Sequence, residues 1–129
     1  MFYISKKFKF EAAHQLDRLP DTHPCSRLHG HSYTVEVVLK AESLDAEKGW
    51  VMDYGDLSKL MDPIIKELDH HNLNDLGWGL PTTAECIAVV IYNKLQGKCP
   101  LAWVKVSETE KTWAIFTKEV GDGHPIDSQ

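Results

Sequence analysis

Apolar and polar positions alternate twice in the first third of the chain. Phe8, Phe10, Ala12 and His14 fall at a spacing of two within Phe2 to His14, which places them on one face of a β-strand. The alternation returns from Leu28 to Leu39, where His29, His31, Tyr33, Val35, Val37 and Leu39 share one face and Glu36 and Lys40 lie on the other. Between these runs, Asp17 to Ser26 contains Pro20, Pro24 and several turn formers, and predicts a loop of the length that often carries function.

The period then changes. Tyr54, Leu57, Leu60, Met61, Ile64, Ile65 and Leu68 recur at three and four behind Asp53, a good N-cap, and predict an amphipathic helix in which Pro63 should produce a kink or a break. Past Gly77, Gly79 and Pro81, Thr82-Thr83-Ala84-Glu85 has the spacing of a capping box, with the Glu85 carboxylate reaching back to the Thr82 amide. A second helix follows, with Ala84, Ile87, Ala88, Ile91 and Leu95 on its apolar stripe and its end set by Gly97 and Pro100. Leu101 to Glu108 and Trp113 to Glu119 read as strands joined by a polar hairpin from Thr109 to Thr112. The order strand, strand, helix, helix, strand, strand predicts an α+β fold on an antiparallel sheet. Two helices cover one sheet face, so the other face and the strand edges call for a partner, of which a second subunit is the simplest.

Composition narrows the picture. With 129 residues the chain predicts one domain, 1–129, with a short polar tail from about Gly121. The longest apolar run, Cys86 to Tyr92, falls far short of the roughly 18–20 residues that span a bilayer, so no membrane partner is expected. The opening lacks a basic stretch followed by an apolar one, and a cytoplasmic location is expected. Fourteen Lys plus Arg against 19 Asp plus Glu give a net charge of -5, which speaks against nucleic acid as a partner. Three cysteines, Cys25, Cys86 and Cys99, cannot all pair and read as free thiols. Seven histidines are the unusual feature.

His29 and His31, two apart on a strand, project the same way, and His14 on a neighbouring strand is placed to supply a third nitrogen. Three neutral histidines with an open fourth position describe a catalytic zinc site. The same spacing also suits two polar residues at a strand end, and spacing alone leaves both readings open. Cys25 lies four residues before His29, where a nearby cation and Arg27 would draw its thiol from an ordinary pKa of about 8.5 toward neutrality; an inert turn residue is the alternative. Asp69-His70 offers a carboxylate beside an imidazole, the parts of an oriented general acid/base, with His71 as the rival ring. Glu108 is either a solvated hairpin charge or an anchor for paired N–H donors. His23 and His124 read as solvent-exposed.

Five segments, in order, resemble the 6-pyruvoyl-tetrahydropterin synthase-like family: Phe10-Glu11-Ala12-Ala13-His14, Cys25-Ser26-Arg27-Leu28-His29-Gly30-His31, Leu68-Asp69-His70-His71-Asn72-Leu73-Asn74, Pro81-Thr82-Thr83-Ala84-Glu85 and Val106-Ser107-Glu108-Thr109. The resemblance implies a tunnelling fold: a four-stranded antiparallel sheet with two helices on one face, closed by three subunits into a barrel, with two such trimers stacked as a homohexamer. It implies one zinc ion per subunit on His14, His29 and His31, a catalytic thiol at Cys25, a catalytic Asp69–His70 pair and a pterin anchor at Glu108. Thr82 and Thr83 match the segment lining the pterin ring, and Arg27 and Arg18 are candidates for the substrate's triphosphate, with Lys6, Lys7 and Lys9 reading instead as an outward strand face.

Within the family, the Cys25-to-His31 segment looks more like the bacterial branch that serves queuosine biosynthesis. The implied reaction converts 7,8-dihydroneopterin triphosphate and water to 6-carboxy-5,6,7,8-tetrahydropterin, acetaldehyde and triphosphate. Retention of Cys25 speaks against family variants that carry a carboxylate there and make a folate precursor. The rival readings are a 6-pyruvoyl-tetrahydropterin synthase, which releases no acetaldehyde, and a non-catalytic metal- or pterin-binding module.

Overall fold

The two alternating runs form the two longest strands, paired along their whole length. In the computed structural model, which describes residues 1–119, β1 (Phe2–His14) lies antiparallel to β2 (His29–Ala41) with Phe2 opposite Ala41, Phe10 opposite Tyr33 and His14 opposite His29. The tail expected from about Gly121, and His124 within it, lie outside the described residues. The remaining elements are α1 (Tyr54–Leu68), β3 (His71–Asn72), α2 (Ala84–Leu95), β4 (Leu101–Thr109) and β5 (Thr112–Phe116), and the sheet order is β3-β1-β2-β4-β5.

Four strands, β1, β2, β4 and β5, are the expected ones and pair antiparallel. The sheet nonetheless has five strands and is mixed, because β3 joins its edge parallel to Ala12 and Ala13 of β1. The last strand is shorter than its β-rich run and ends at Phe116.

Both helices lie on one sheet face. Leu57, Met61, Ile64 and Leu68 of α1 and Ile87, Ala88, Ile91 and Leu95 of α2 are buried against Phe10, Tyr33, Val35, Val37, Val104 and Val106. Each fully buried aliphatic side chain contributes about 1.5–3 kcal/mol. Pro63 does not break α1, since its exposed position leaves the unmatched carbonyl of the preceding turn on the solvent side. The start of α2 differs from the expected capping box by one residue: Thr83, not Thr82, is the N-cap, and its Oγ1 accepts from the Cys86 amide at 3.2 Å.

The other face mixes charged side chains with a small apolar cluster of Val38, Ala102 and Trp103, the last with its ring 5.3 Å from that of Tyr3. Glu36 bridges Ser5 at 3.0 Å and Lys105 at 3.1 Å, while Lys7 and Lys105 lie over the Trp113 ring at 5.8 and 4.9 Å. Burial alone would raise the Glu36 carboxyl, but its bonds to Lys105 and Ser5 and the charges of Lys105 and Lys7 hold it below the ordinary carboxylate range. Two edges remain open among the described residues. β3 covers β1 only at Ala12 and Ala13, and β5 has no strand on its outer side. No helix of the described residues is long and apolar enough to cross a membrane.

Candidate metal centre and acid/base site

Strand parity and register together assemble the histidines. His29 and His31 share a face of β2, and the register places His14, at the end of β1, directly opposite His29. The three rings surround one point: centroids stand 4.5 Å apart for His14 and His29, 5.1 Å for His14 and His31 and 4.8 Å for His29 and His31, each pair steeply inclined. One ligand nitrogen from each lies within 4.8 Å of the others. Four-coordinate zinc with bonds of about 2.0–2.1 Å sets its ligand nitrogens roughly 3.3 Å apart, a spacing the rings would reach by turning toward one another.

Hydrogen bonds fix which nitrogen two of the three rings present. Nδ1–H of His14 donates to the Thr82 carbonyl at 2.7 Å, and Nδ1–H of His29 donates to the Arg27 carbonyl at 2.7 Å. Their Nε2 lone pairs are therefore free for a cation, the arrangement that metal-binding imidazoles use. His14 is 1% exposed, and burial pushes its imidazole below the ordinary value, which keeps the ring neutral. His14 Nε2 and His31 Nε2 are buried without a hydrogen-bond partner. Buried, unpaired and convergent nitrogens fit a bound divalent ion, since leaving such atoms unsatisfied is costly.

Glu108 reaches the same place from β4, with Oε2 at 3.6 Å from His31 Nε2. It also lines two adjoining clefts. One, of about 530 Å³, runs over the polar face past Lys9, Ser32 and Trp113; the other, of about 300 Å³, passes Ala84, Glu85 and Thr112. Tyr33 is fully buried with its ring 5.5 Å from that of His31, and its hydroxyl has no partner. Burial, aided by the Glu108 charge, raises that hydroxyl well above its ordinary value, so it remains a donor.

Asp69 caps the C-terminus of α1 and binds in three directions. Its amide donates to the Ile65 carbonyl at 2.7 Å, its Oδ1 accepts from the Glu11 amide at 2.8 Å, and its Oδ2 stands 2.9 Å from His70 Nδ1. The Glu11 amide, with the His70 ring and amide, holds the Asp69 carboxyl below the ordinary range. His70 has φ of 58°, a left-handed conformation that folds the ring back over its own neighbour. His71 instead donates from Nδ1 to the Asp69 carbonyl at 2.8 Å. The geometry thus pairs the carboxylate with His70 rather than His71, the choice the residues alone left open. The His70 side chain is 79% exposed.

Cys25 sits in a one-turn 3-10 helix, Pro24–Ser26, tied back two residues beyond His14 by the bond from the Leu16 amide to the Cys25 carbonyl at 2.8 Å. His23, exposed as expected, caps that turn: its Nδ1 accepts from the Cys25 amide at 3.1 Å. Arg27 meets His29 through its backbone carbonyl. Among the described residues no hydrogen bond or ion pair joins the Cys25, Asp69 or His70 side chains to the three histidines. Thr82 is 2% exposed and holds His14, whereas Thr83 caps α2. Of the other thiols, burial pushes Cys99 up, away from reactivity.

Comparison with known proteins agrees with this architecture. Residues 3–119 match the model of the 6-pyruvoyl tetrahydropterin synthase family. The chain is 44% identical over 116 residues to a 6-carboxy-5,6,7,8-tetrahydropterin synthase of Synechocystis, covering 84% of this chain and 88% of that one. It is 40% identical over 97 residues to a dihydroneopterin monophosphate aldolase of Pyrococcus furiosus, covering 75% of this chain and 77% of the relative. The solved 6-pyruvoyl tetrahydropterin synthase of Caenorhabditis elegans superposes with a TM-score of 0.82 at 27% identity, covering 92% of this chain and 96% of that one.

Proposed function

Because the chain belongs to the 6-pyruvoyl tetrahydropterin synthase family, we propose that it is a 6-carboxy-5,6,7,8-tetrahydropterin synthase, a lyase acting on 7,8-dihydroneopterin triphosphate in queuosine biosynthesis. The observation that carries the reading is the convergence of three imidazoles beside Glu108, in a chain 44% identical to a relative of that name. The substrate is cleaved with water to the 6-carboxy pterin, acetaldehyde and triphosphate.

His14, His29 and His31 hold one zinc ion, in keeping with their all-imidazole donor set. When bound, the ion supplies Lewis-acid polarisation of side-chain oxygens on the substrate. The Cys25 thiolate takes a proton from the substrate side chain, and His70, oriented by Asp69, moves a second. Glu108 accepts from the amino group and ring N–H of the pterin, a two-pronged contact that fixes its register. The Thr82-Thr83 segment flanks the ring, and Arg27 meets the triphosphate.

The working assembly is a ring of three such single-domain chains, with sheets closed edge to edge into a barrel, and two rings stacked as a hexamer in the cytoplasm. Two open sheet edges support it, as do the exposed Phe2, Tyr3, Trp113 and Ile115 near them. The exposure of His70 suits a site completed by a neighbouring chain.

Incubation of zinc-loaded protein with 7,8-dihydroneopterin triphosphate, following pterin mass and acetaldehyde together, tests the reading. A carboxylated pterin with acetaldehyde is expected. A pyruvoyl product without acetaldehyde, or an aldol cleavage that leaves a hydroxymethyl pterin, would overturn it.

A further inference from the structure

Residues 69–74 grip β1 on both sides of His14. Before it, the Glu11 amide donates to Asp69 Oδ1 at 2.8 Å and the His70 amide donates to the Glu11 carbonyl at 2.6 Å. After it, the Gln15 amide donates to Asn74 Oδ1 at 2.9 Å while Asn74 Nδ2 donates to the Gln15 carbonyl at 2.9 Å. This second grip is two-pronged and sets the Asn74 amide in one orientation, because a flip would turn its NH₂ toward the Gln15 N–H. The Asn74 backbone is itself held by Asn72, whose Oδ1 accepts from the Asn74 main-chain N–H at 3.1 Å.

Asn74 Oδ1 has a second donor, the Thr82 hydroxyl at 3.4 Å. With its proton turned toward Asn74, that hydroxyl presents a lone pair to His14 Nδ1, 3.3 Å away. The Nδ1–H therefore faces two acceptors, the Thr82 carbonyl and the Thr82 hydroxyl oxygen, and His14 is too buried for water to replace either.

We propose that Asn74 and the Thr82 hydroxyl are positioning residues for the metal ligand His14: they lock its ring so that Nε2 points at the other two imidazoles. The proposal rests on reading the three histidines as a metal site. It gives the Thr82 side chain a duty at the metal ligand besides its segment's place along the pterin ring, and it links the Asp69–His70 segment to the metal-bearing strand through one continuous set of hydrogen bonds. Only an amide side chain serves at position 74. An aspartate keeps the acceptor but sets a carboxylate against the Gln15 carbonyl, and an alanine leaves both Gln15 groups unpaired.

The test is zinc affinity, measured by competition with a chromophoric chelator on wild type, Asn74→Asp, Thr82→Val and Thr82→Ser, with thermal melting in EDTA read alongside. Loss of the outer partner of a metal-binding histidine weakens the metal about 10–100-fold; because the Thr82 carbonyl stays in place, the lower end of that range, about tenfold, is expected for Asn74→Asp and Thr82→Val. Thr82→Ser, which keeps the hydroxyl, should bind as wild type does. The visible spectrum of cobalt-substituted Thr82→Val should also change, which a loop tie would not cause. Equal zinc affinity in wild type and both disruptive variants would overturn the proposal, as would a drop in melting temperature with affinity unchanged. Should Asn74→Asp fail to fold, Thr82→Val decides the matter, since it leaves the Thr82 carbonyl and the Gln15 bonds in place. Wild type that takes up no zinc would instead sink the metal reading itself.

Discussion

Asp69→Asn separates catalysis from architecture more sharply than removal of any other side chain. Asparagine keeps one oxygen, which can still accept from the Glu11 amide as Asp69 Oδ1 does at 2.8 Å, and the backbone cap on Ile65 is untouched. What changes is the atom facing His70 Nδ1 at 2.9 Å: an N–H donor replaces a carboxylate oxygen. A neutral His70 must then accept at Nδ1 and carry its proton on Nε2, so no lone pair remains at the exposed nitrogen to take a proton from substrate. Flipping the amide restores that lone pair only by turning NH₂ against the Glu11 N–H. Loss of one positioned acid/base group costs about 10²–10⁴ in rate. The cost in stability should be small, because the His70 side chain is 79% exposed and exposed ion pairs contribute about 0–1 kcal/mol. The assay pairs turnover of 7,8-dihydroneopterin triphosphate with zinc content and melting temperature of the same preparation. Turnover within about tenfold of wild type would refute the acid/base assignment. Loss of zinc and fold in step with activity would make Asp69 a structural clamp on β1 and nothing more.

Three further outcomes follow from the packing. The Glu36 carboxyl sits below its ordinary range, so its contribution is full above that range and is lost as pH falls through the lower folded value; Glu36→Gln should be destabilised by about 1 kcal/mol at pH 7. Urea denaturation at pH 7 and pH 3 should show that difference shrinking on the acid side. Tyr33→Phe removes a buried hydroxyl without a partner and should leave the metal-free protein as stable as wild type or up to about 1 kcal/mol more so, by urea denaturation in EDTA. Thr83→Ala removes the cap of α2 and should cost about 1 kcal/mol while zinc affinity stays at the wild-type value, the reverse of the pattern expected for Thr82→Val.

Periodicity was enough for the parts of the fold that bury a face. Phe10, Ala12 and His14 on one strand, and Leu57, Met61, Ile64 and Leu68 on a helix, announce themselves because the core selects the same side at every turn or every second residue. β3 has no such pattern: its two residues are His71 and Asn72, and it forms because Asp69 and His70 hold that segment against the edge of β1. Pro63 carries a warning that applies only where the lost bond would be buried, and burial is a tertiary fact. Thr82 and Thr83 are equally good caps by chemistry. The structure separates them because His14 and Asn74 engage the first, leaving the second to meet the Cys86 amide.

The site was legible to the extent that its chemistry is concentrated in rare residue types. A His-x-His on a strand sets two imidazoles on one face by parity alone, but the register that sets His14 opposite His29 depends on every pair from Phe2 to His14 and is not contained in any short stretch. The choice between His70 and His71 turns on one backbone angle, φ of 58° at a residue other than glycine, which composition does not foretell. His23 and Asn74 were invisible for the opposite reason: a histidine in a loop and an asparagine after a helix are ordinary turn residues, distinguished only by what they touch. Candidate metal ligands can thus be singled out from residue type and spacing, whereas the group that aims His14 is found only once a distant segment is brought beside it. For His14, the residues that set its aim are therefore expected among common polar residues far along the chain, as Thr82 is at 68 positions away, whereas His29 is held by the Arg27 carbonyl two residues before it.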